Sequence, residues 1–311
     1  MDKLREDWRG AIWLRCLLGG LIAWCVTMQG QEVQLKWGDN ARLSLRVAAD
    51  ASEWFRLEHT IDFSEWHPTR DSIAQQTEIT IDPSRSIARY YRLIPVDRPE
   101  APFTIGVVGD STAVGIQTVP LVGGWAQGLS RFAREETRFV MAGVPGLSSK
   151  SFFGSFREHM LTTTTPTVVM IQLGQVDEFN SQPEIKSTTL VEYQENLSAM
   201  VDFVREWGGV PMLVTPLPSR EFVSEGVLKP YLVERSVAMR ELAAEIGVYV
   251  IDLHRLVSEL YVNGSQEELK SWGFGDDYHL SIPGSVAVAE LVLAALPPHI
   301  GDLMFESSSE P

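Results

Sequence analysis

Two kinds of hydrophobic pattern divide the chain. Between residues 33 and 97 the segments VQLKW, ARLSLRVAA, WFRLEHTI, AQQTEITI and IARYYRLIPV carry short apolar and aromatic patterns separated by polar or proline-containing turns. Such runs predict strands, and so many short strands in so little chain predict a small β-sandwich-like domain over residues 31–98. Beyond Pro95, Pro99 and Pro102 the period changes. FTIGVV, RFVMAG, TVVMIQLG, VPMLVTPL and VYVIDL are continuous apolar runs of the kind buried on both faces of a parallel sheet. Between them WAQGLSRFAREE, SFREHM, TLVEYQENLSAMVDFVREWG and ERSVAMRELAAEIG read as amphipathic helices, and AVAELVLAAL at 287–296 adds another. This alternation predicts a three-layer α/β domain over residues 99–300, followed by a short tail over 301–311.

The first thirty residues fit neither pattern. MDKLREDWRGAIWLR leads into CLLGGLIAWCV, an apolar run of secretory length, shorter than a comfortable membrane span. Lys3, Arg5, Arg9 and Arg15 precede or border it, diluted by Asp2, Glu6 and Asp7. Residues 1–30 are expected to be a signal peptide cut near 26–31, which places the mature protein in the periplasm or outside the cell; the alternative is a membrane anchor through the uncleaved segment. Trp24 before Cys25 argues against lipoprotein processing. Both cysteines, Cys16 and Cys25, lie in this leader, so the mature chain would hold no disulfide and no cysteine nucleophile.

Composition narrows the partners. Lys plus Arg number 26 against 41 Asp plus Glu, a formal charge of -15, and an acidic field of that size excludes a broad nucleic-acid interface. After leader cleavage no stable membrane partner is expected. Trp37, Trp54, Phe55, Trp66, Tyr90 and Tyr91 include faces flat enough to stack on sugars, although aromatics in so small a sheet domain more often fill its core.

The chemistry concentrates in VVGDSTAVG, residues 107–115. Val107 and Val108 end a buried strand, Gly109 allows a tight turn, and Ser111 opens a helix with its hydroxyl at the sheet edge, where backbone donors can surround an attacked carbonyl oxygen. A serine-rich turn or helix cap is the plainer reading of this nonapeptide. DDYHLSIPGSVAVAE at 276–290 supplies its counterpart. His279 can deprotonate Ser111, and Asp276, three positions earlier, can hold the ring in the useful tautomer; Asp277 is left to solvent or to fixing the loop.

With these blocks the sequence resembles an SGNH or GDSL hydrolase, most closely the rhamnogalacturonan acetylesterase group, over about residues 103–297. GDST at 109–112, AGVPGLSSKSF at 142–152 and DDYH at 276–279 carry the resemblance, and TPLPSREF at 215–222 and ELAAEIGVYVIDLH at 241–254 add to it. The resemblance implies Ser111, Asp276 and His279 as a triad, with the backbone N–H groups of Ser111 and Gly146 as oxyanion donors; Gly143 is the turn glycine that permits the approach. It implies an acetylated polysaccharide as substrate, pectic first, with acetylated xylan or another short-chain ester as the alternative, and neither metal nor organic cofactor.

The third block departs from the pattern. Where the family reads Gly-x-Asn-Asp, this chain has Gly174, Gln175, Val176 and Asp177, and valine cannot supply the amide donor. Such a loss in a working oxyanion hole costs about 2.7–4 kcal/mol. Three outcomes fit: weaker catalysis on the backbone donors, Gln175 reaching inward from a rearranged loop, or a carbohydrate-binding protein that has kept the fold and lost hydrolysis. Asp177 is expected to brace the loop or to be a solvated end, and Trp125 to lie near the site or in a local structural turn. Asp252 and His254 read as a strand-end polar pair, and His59, His67, His159 and His299 show no zinc spacing.

Overall fold

The computed structural model describes eight strands between residues 12 and 96 and, beyond them, residues 103–178, 182–297, 300–301 and 304–305. The chain divides into two compact units, Met1–Pro99 and Glu100–Pro311.

In the first unit every strand pairing is antiparallel. One sheet of five strands runs in the order Gly20–Trp24, Ile12–Leu17, Tyr90–Val96, Trp54–Thr60, His67–Ala74, and a second of three runs Glu32–Trp37, Leu43–Ala48, Ile79–Ile81. Two strands come from the expected leader: Ile12–Leu17 and Gly20–Trp24 pair with each other, and the former pairs with Tyr90–Val96. Residues 25–31, where cleavage is expected, lie outside the described residues.

The second unit is an α/β domain on a five-stranded parallel sheet. Its order is Arg138–Met141, Thr104–Gly109, Val168–Gln172, Val210–Val214, Tyr249–Ile251, so the chain starts inside the sheet, steps to one edge and returns across its first strand toward the other. Val168–Gln172 is buried at every position, which its unbroken apolar run requires of a strand covered on both faces. Leu197, Met200, Val201 and Val204 of the helix Leu190–Arg205 join Met239 and Leu242 of the helix Val233–Ile246 in the main core.

In doubly wound sheets of this kind, ligands bind beyond the carboxyl ends of the strands where the strand order reverses. Here Thr104–Gly109 and Val168–Gln172 lie side by side, with Gln172 opposite Gly109. The turns that leave them carry Ser111 and the Gln175–Asp177 segment. The chain end is tied in as far as Phe305, which bridges to Ala133, while Met304 accepts from Arg134 N and Thr137 Oγ1; part of the expected tail is therefore packed on the domain. Among the described residues no helix is long and apolar enough to cross a membrane.

Candidate active site

Ser111 sits where strand becomes helix. Asp110 caps the four-residue helix Ser111–Val114, its Oδ1 accepting from Thr112 N at 2.9 Å and Thr112 Oγ1 at 2.8 Å. Ser111 thus occupies the first helical position, whose backbone N–H has no intrahelical acceptor. The turn is anchored from below: Gln172 Nε2 donates to Thr112 Oγ1, and Trp125 Nε1 donates to Gln172 Oε1. Trp125 has no exposed surface and opens the helix Trp125–Leu129, so it lies near the site but braces the nucleophile turn from within the core.

His279 arrives from the far end of the chain. Leu280–Ser281 pairs antiparallel with Val122–Gly123, and Ile116 N donates to Val122 O, which stitches the segment after Ser111 to the one bearing His279. Ser281 then caps the helix Ile282–Ala295 by accepting from Gly284 N. His279 Nε2 lies 3.0 Å from Ser111 Oγ, and His279 Nδ1 lies 2.6 Å from Asp276 Oδ2. With the ring proton on Nδ1 facing the carboxylate, Nε2 is free to accept from the serine. Asp276 Oδ1 accepts from Tyr278 N at 2.8 Å and His279 N at 2.7 Å. Burial alone would raise the Asp276 pKa, but these bonds together with the His279 ring outweigh it and hold the carboxyl below its ordinary range. Asp277 is exposed, and its carbonyl accepts from Arg220 N.

The loop that holds the pair has a buried fastening. Arg220 Nη2 donates to the carbonyls of both Asp276, at 2.8 Å, and His279, at 2.6 Å, while Nη1 reaches Tyr261 Oη and the guanidinium lies over the Tyr261 ring. Its partners are main-chain atoms 56 and 59 residues away, so no spacing in the sequence announces the role.

The second block lies against the nucleophile turn. Val144 N donates to Gly109 O, and a β-carbon on Gly143 would stand 2.3 Å from that same oxygen, so only glycine allows the approach. Gly146 is half-buried at φ +79, a conformation glycine adopts without strain. Three residues on, Ser149 donates through N and Oγ to the Asp177 carboxylate, which also accepts from Thr188 Oγ1 at 3.0 Å. Asp177 is buried, so the solvated reading fails and the bracing one describes its contacts. Burial raises its pKa against the bonds from Ser149 and Thr188 and the charge of Arg235.

In the third block Val176 is half-buried. Gln175 is buried, and its Nε2 has no accessible surface and no hydrogen-bond partner among the described residues. A substrate oxygen would reach that amide only if the loop shifted. Asp252 accepts from Arg240 and Thr215, and His254 Nε2 donates to Tyr231 O; burial, opposed by that bond, lowers the His254 pKa. Among the described residues no cluster of His, Cys, Asp and Glu is suited to a metal ion.

The chain is similar to known proteins. Residues 107–286 match the GDSL-like Lipase/Acylhydrolase family. The chain is 30% identical over 212 residues to the rhamnogalacturonan acetylesterase RhgT of Bacillus subtilis, covering 61% of this chain and 88% of that one. It is 27% identical over 195 residues to the probable rhamnogalacturonan acetylesterase YesY of the same organism, covering 60% and 89%. Among solved structures, the fold resembles the protein YxiM of Bacillus subtilis at TM-score 0.56 and 18% identity, covering 92% of this chain and 87% of that one. It also resembles a catalytic mutant of Axe2, an acetylxylan esterase of Geobacillus stearothermophilus, at TM-score 0.51 and 18% identity, covering 69% and 100%.

Proposed function

The chain belongs to the GDSL-like lipase/acylhydrolase family, and from that premise we propose that it is a serine esterase removing O-acetyl groups from a polysaccharide, pectic in the first instance. The observation that carries the reading is the continuous relay from Asp276 through His279 to Ser111, with contacts of 2.6 and 3.0 Å. The substrate class follows the two Bacillus relatives that bear the name rhamnogalacturonan acetylesterase.

Ser111 Oγ attacks the acetyl carbonyl while His279 Nε2 takes its proton, and Asp276 holds the ring and stabilises the imidazolium that forms. The tetrahedral oxyanion faces the backbone N–H groups of Ser111 and Gly146. Collapse breaks the ester bond to the sugar oxygen, which leaves with the proton from His279. Water, activated by the same histidine, then attacks the acetyl-serine and releases acetate. Acetate release from acetylated pectic and xylan polymers should be abolished in a folded Ser111→Ala variant. A panel on which the wild-type rate does not exceed that variant's would overturn the proposal. It would favour the second reading, motivated by Val176, of a carbohydrate-binding protein on a hydrolase fold.

For the remainder of the chain we propose a leader over residues 1–30, export to the periplasm or beyond, and an accessory unit over 31–98 whose two antiparallel sheets stack as a sandwich. The strand content and the proline-rich connection support the accessory unit. The alternative is a retained hairpin, whose strand Ile12–Leu17 pairs with Tyr90–Val96. Recovery of the exported chain decides between them.

A further inference from the structure

Val176 leaves the oxyanion site one donor short, and the side chain that stands over Gly146 is charged. Lys186 Nζ lies 3.1 Å from the point where a β-carbon on Gly146 would stand. The nitrogen and β-carbon of one residue are about 2.5 Å apart, which places Nζ at most about 5.6 Å from Gly146 N. Two charge-assisted or ordinary N–H···O bonds of about 2.8 Å that meet at one oxygen span at most about that same length. The separation is compatible with one oxygen held between them.

The placement is built into the fold. Lys186 closes the helix Pro183–Lys186, where its N–H donates to Gln182 O at 3.1 Å. Two residues later Thr188 donates to Asp177, the carboxylate that also holds Ser149, three residues beyond Gly146. Lys150 Nζ adds a second tie, to Glu184 O at 3.4 Å. One buried acid thus sets the glycine loop and the lysine segment in common register. Lys186 is half-buried, and among the described residues its ammonium pairs with no carboxylate.

We propose that Lys186 is a catalytic residue that donates from Nζ to the substrate's developing oxyanion, supplying as a cation the donor that Val176 does not. The inference rests on the esterase reading above and on Gly146 as an oxyanion donor. As Ser111 Oγ bonds to the carbonyl carbon and the carbonyl π pair moves onto oxygen, the serine proton goes to His279. Lys186 keeps its own protons throughout and contributes charge. A full charge on a flexible stem compensates in strength for what it lacks in fixed direction.

The full chain would be assayed with 4-nitrophenyl acetate, which is neutral and carries no sugar, and with an acetylated pectic polymer. Lys186→Met should lower kcat about 100-fold on both, with KM changed by less than about threefold, and should weaken phenylboronic acid, whose serine adduct is anionic, by a similar factor. Lys186→Arg should retain most of the lost rate, and Val176→Asn placed in the Lys186→Met chain should restore at least about tenfold. Lys186→Gln, with an unchanged melting temperature, guards against a misfolded variant.

Unchanged turnover of 4-nitrophenyl acetate by both Lys186→Met and Lys186→Gln overturns the inference. So does a loss confined to KM on the pectic polymer, which would make Lys186 a binder of uronate carboxylates. A wild type without Ser111-dependent turnover overturns the esterase reading itself, an outcome distinct from the other two.

Discussion

Asp110 shows how closely stability and chemistry are joined around Ser111. It is fully buried beside the nucleophile, its Oδ2 lacks a partner among the described residues, and burial raises its pKa from 3.8 to about 6, against the two bonds from Thr112. An acid whose pKa rises on folding binds its proton more tightly in the native state. Its contribution is fully present below pH 3.8 and is lost as pH rises through about 6. Two pKa units at about 1.36 kcal/mol each amount to on the order of 3 kcal/mol. Denaturant unfolding of wild type and Asp110→Asn should therefore show the difference moving in the variant's favour by roughly that amount between pH 4 and pH 7; parallel curves would contradict the cause assigned here. The triad candidates were legible because their chemistry is local: Asp276 and His279 are three apart, and Ser111 follows a strand-ending glycine. Lys186 was not legible, since nothing in PEIK marks a lysine whose relevant neighbour is a backbone glycine forty residues earlier.

Elements were easier to read than the fastenings between them. All five strands of the parallel sheet fall on the apolar runs to within a residue, as the helices Leu190–Arg205 and Val233–Ile246 fall on their amphipathic stretches. The three inner strands are buried almost throughout, while the edge strand Arg138–Met141, read as covered on both faces, is exposed to half-buried because it has a neighbour on one side only. The Arg220 clasp was hidden, because an arginine that satisfies main-chain carbonyls leaves no periodic trace. It holds the turn on which Asp276 and His279 depend, and Lys can satisfy those two carbonyls and Tyr261 Oη less completely than a planar guanidinium can. Arg220→Lys should lower kcat about tenfold and the melting temperature by several degrees, each lost charged hydrogen bond being worth about 1.5–3 kcal/mol. A variant with wild-type kcat and melting temperature would show that the loop holds without its clasp.

For the molecule as a whole, architecture turns on where the native chain begins. The strand Gly20–Trp24 and the end of Ile12–Leu17 are written in the same apolar residues that read as a secretory core, because a membrane-inserting stretch and a sheet-forming stretch share their chemistry. Intact mass and limited proteolysis of chain recovered from the culture fluid or periplasm should show a start near residues 26–31 and a stable fragment that begins near Glu100. A start at Met1 in that fraction would retire the leader and keep the hairpin. The pairing of Leu280–Ser281 with Val122–Gly123 carries one more consequence, in time. The Ser111–His279 contact closes a loop of 168 residues, the kind of long-range closure that folds late. Hydrolysis therefore waits on that closure: a chain whose sheet has formed but whose His279 segment has not yet docked holds its serine without its base.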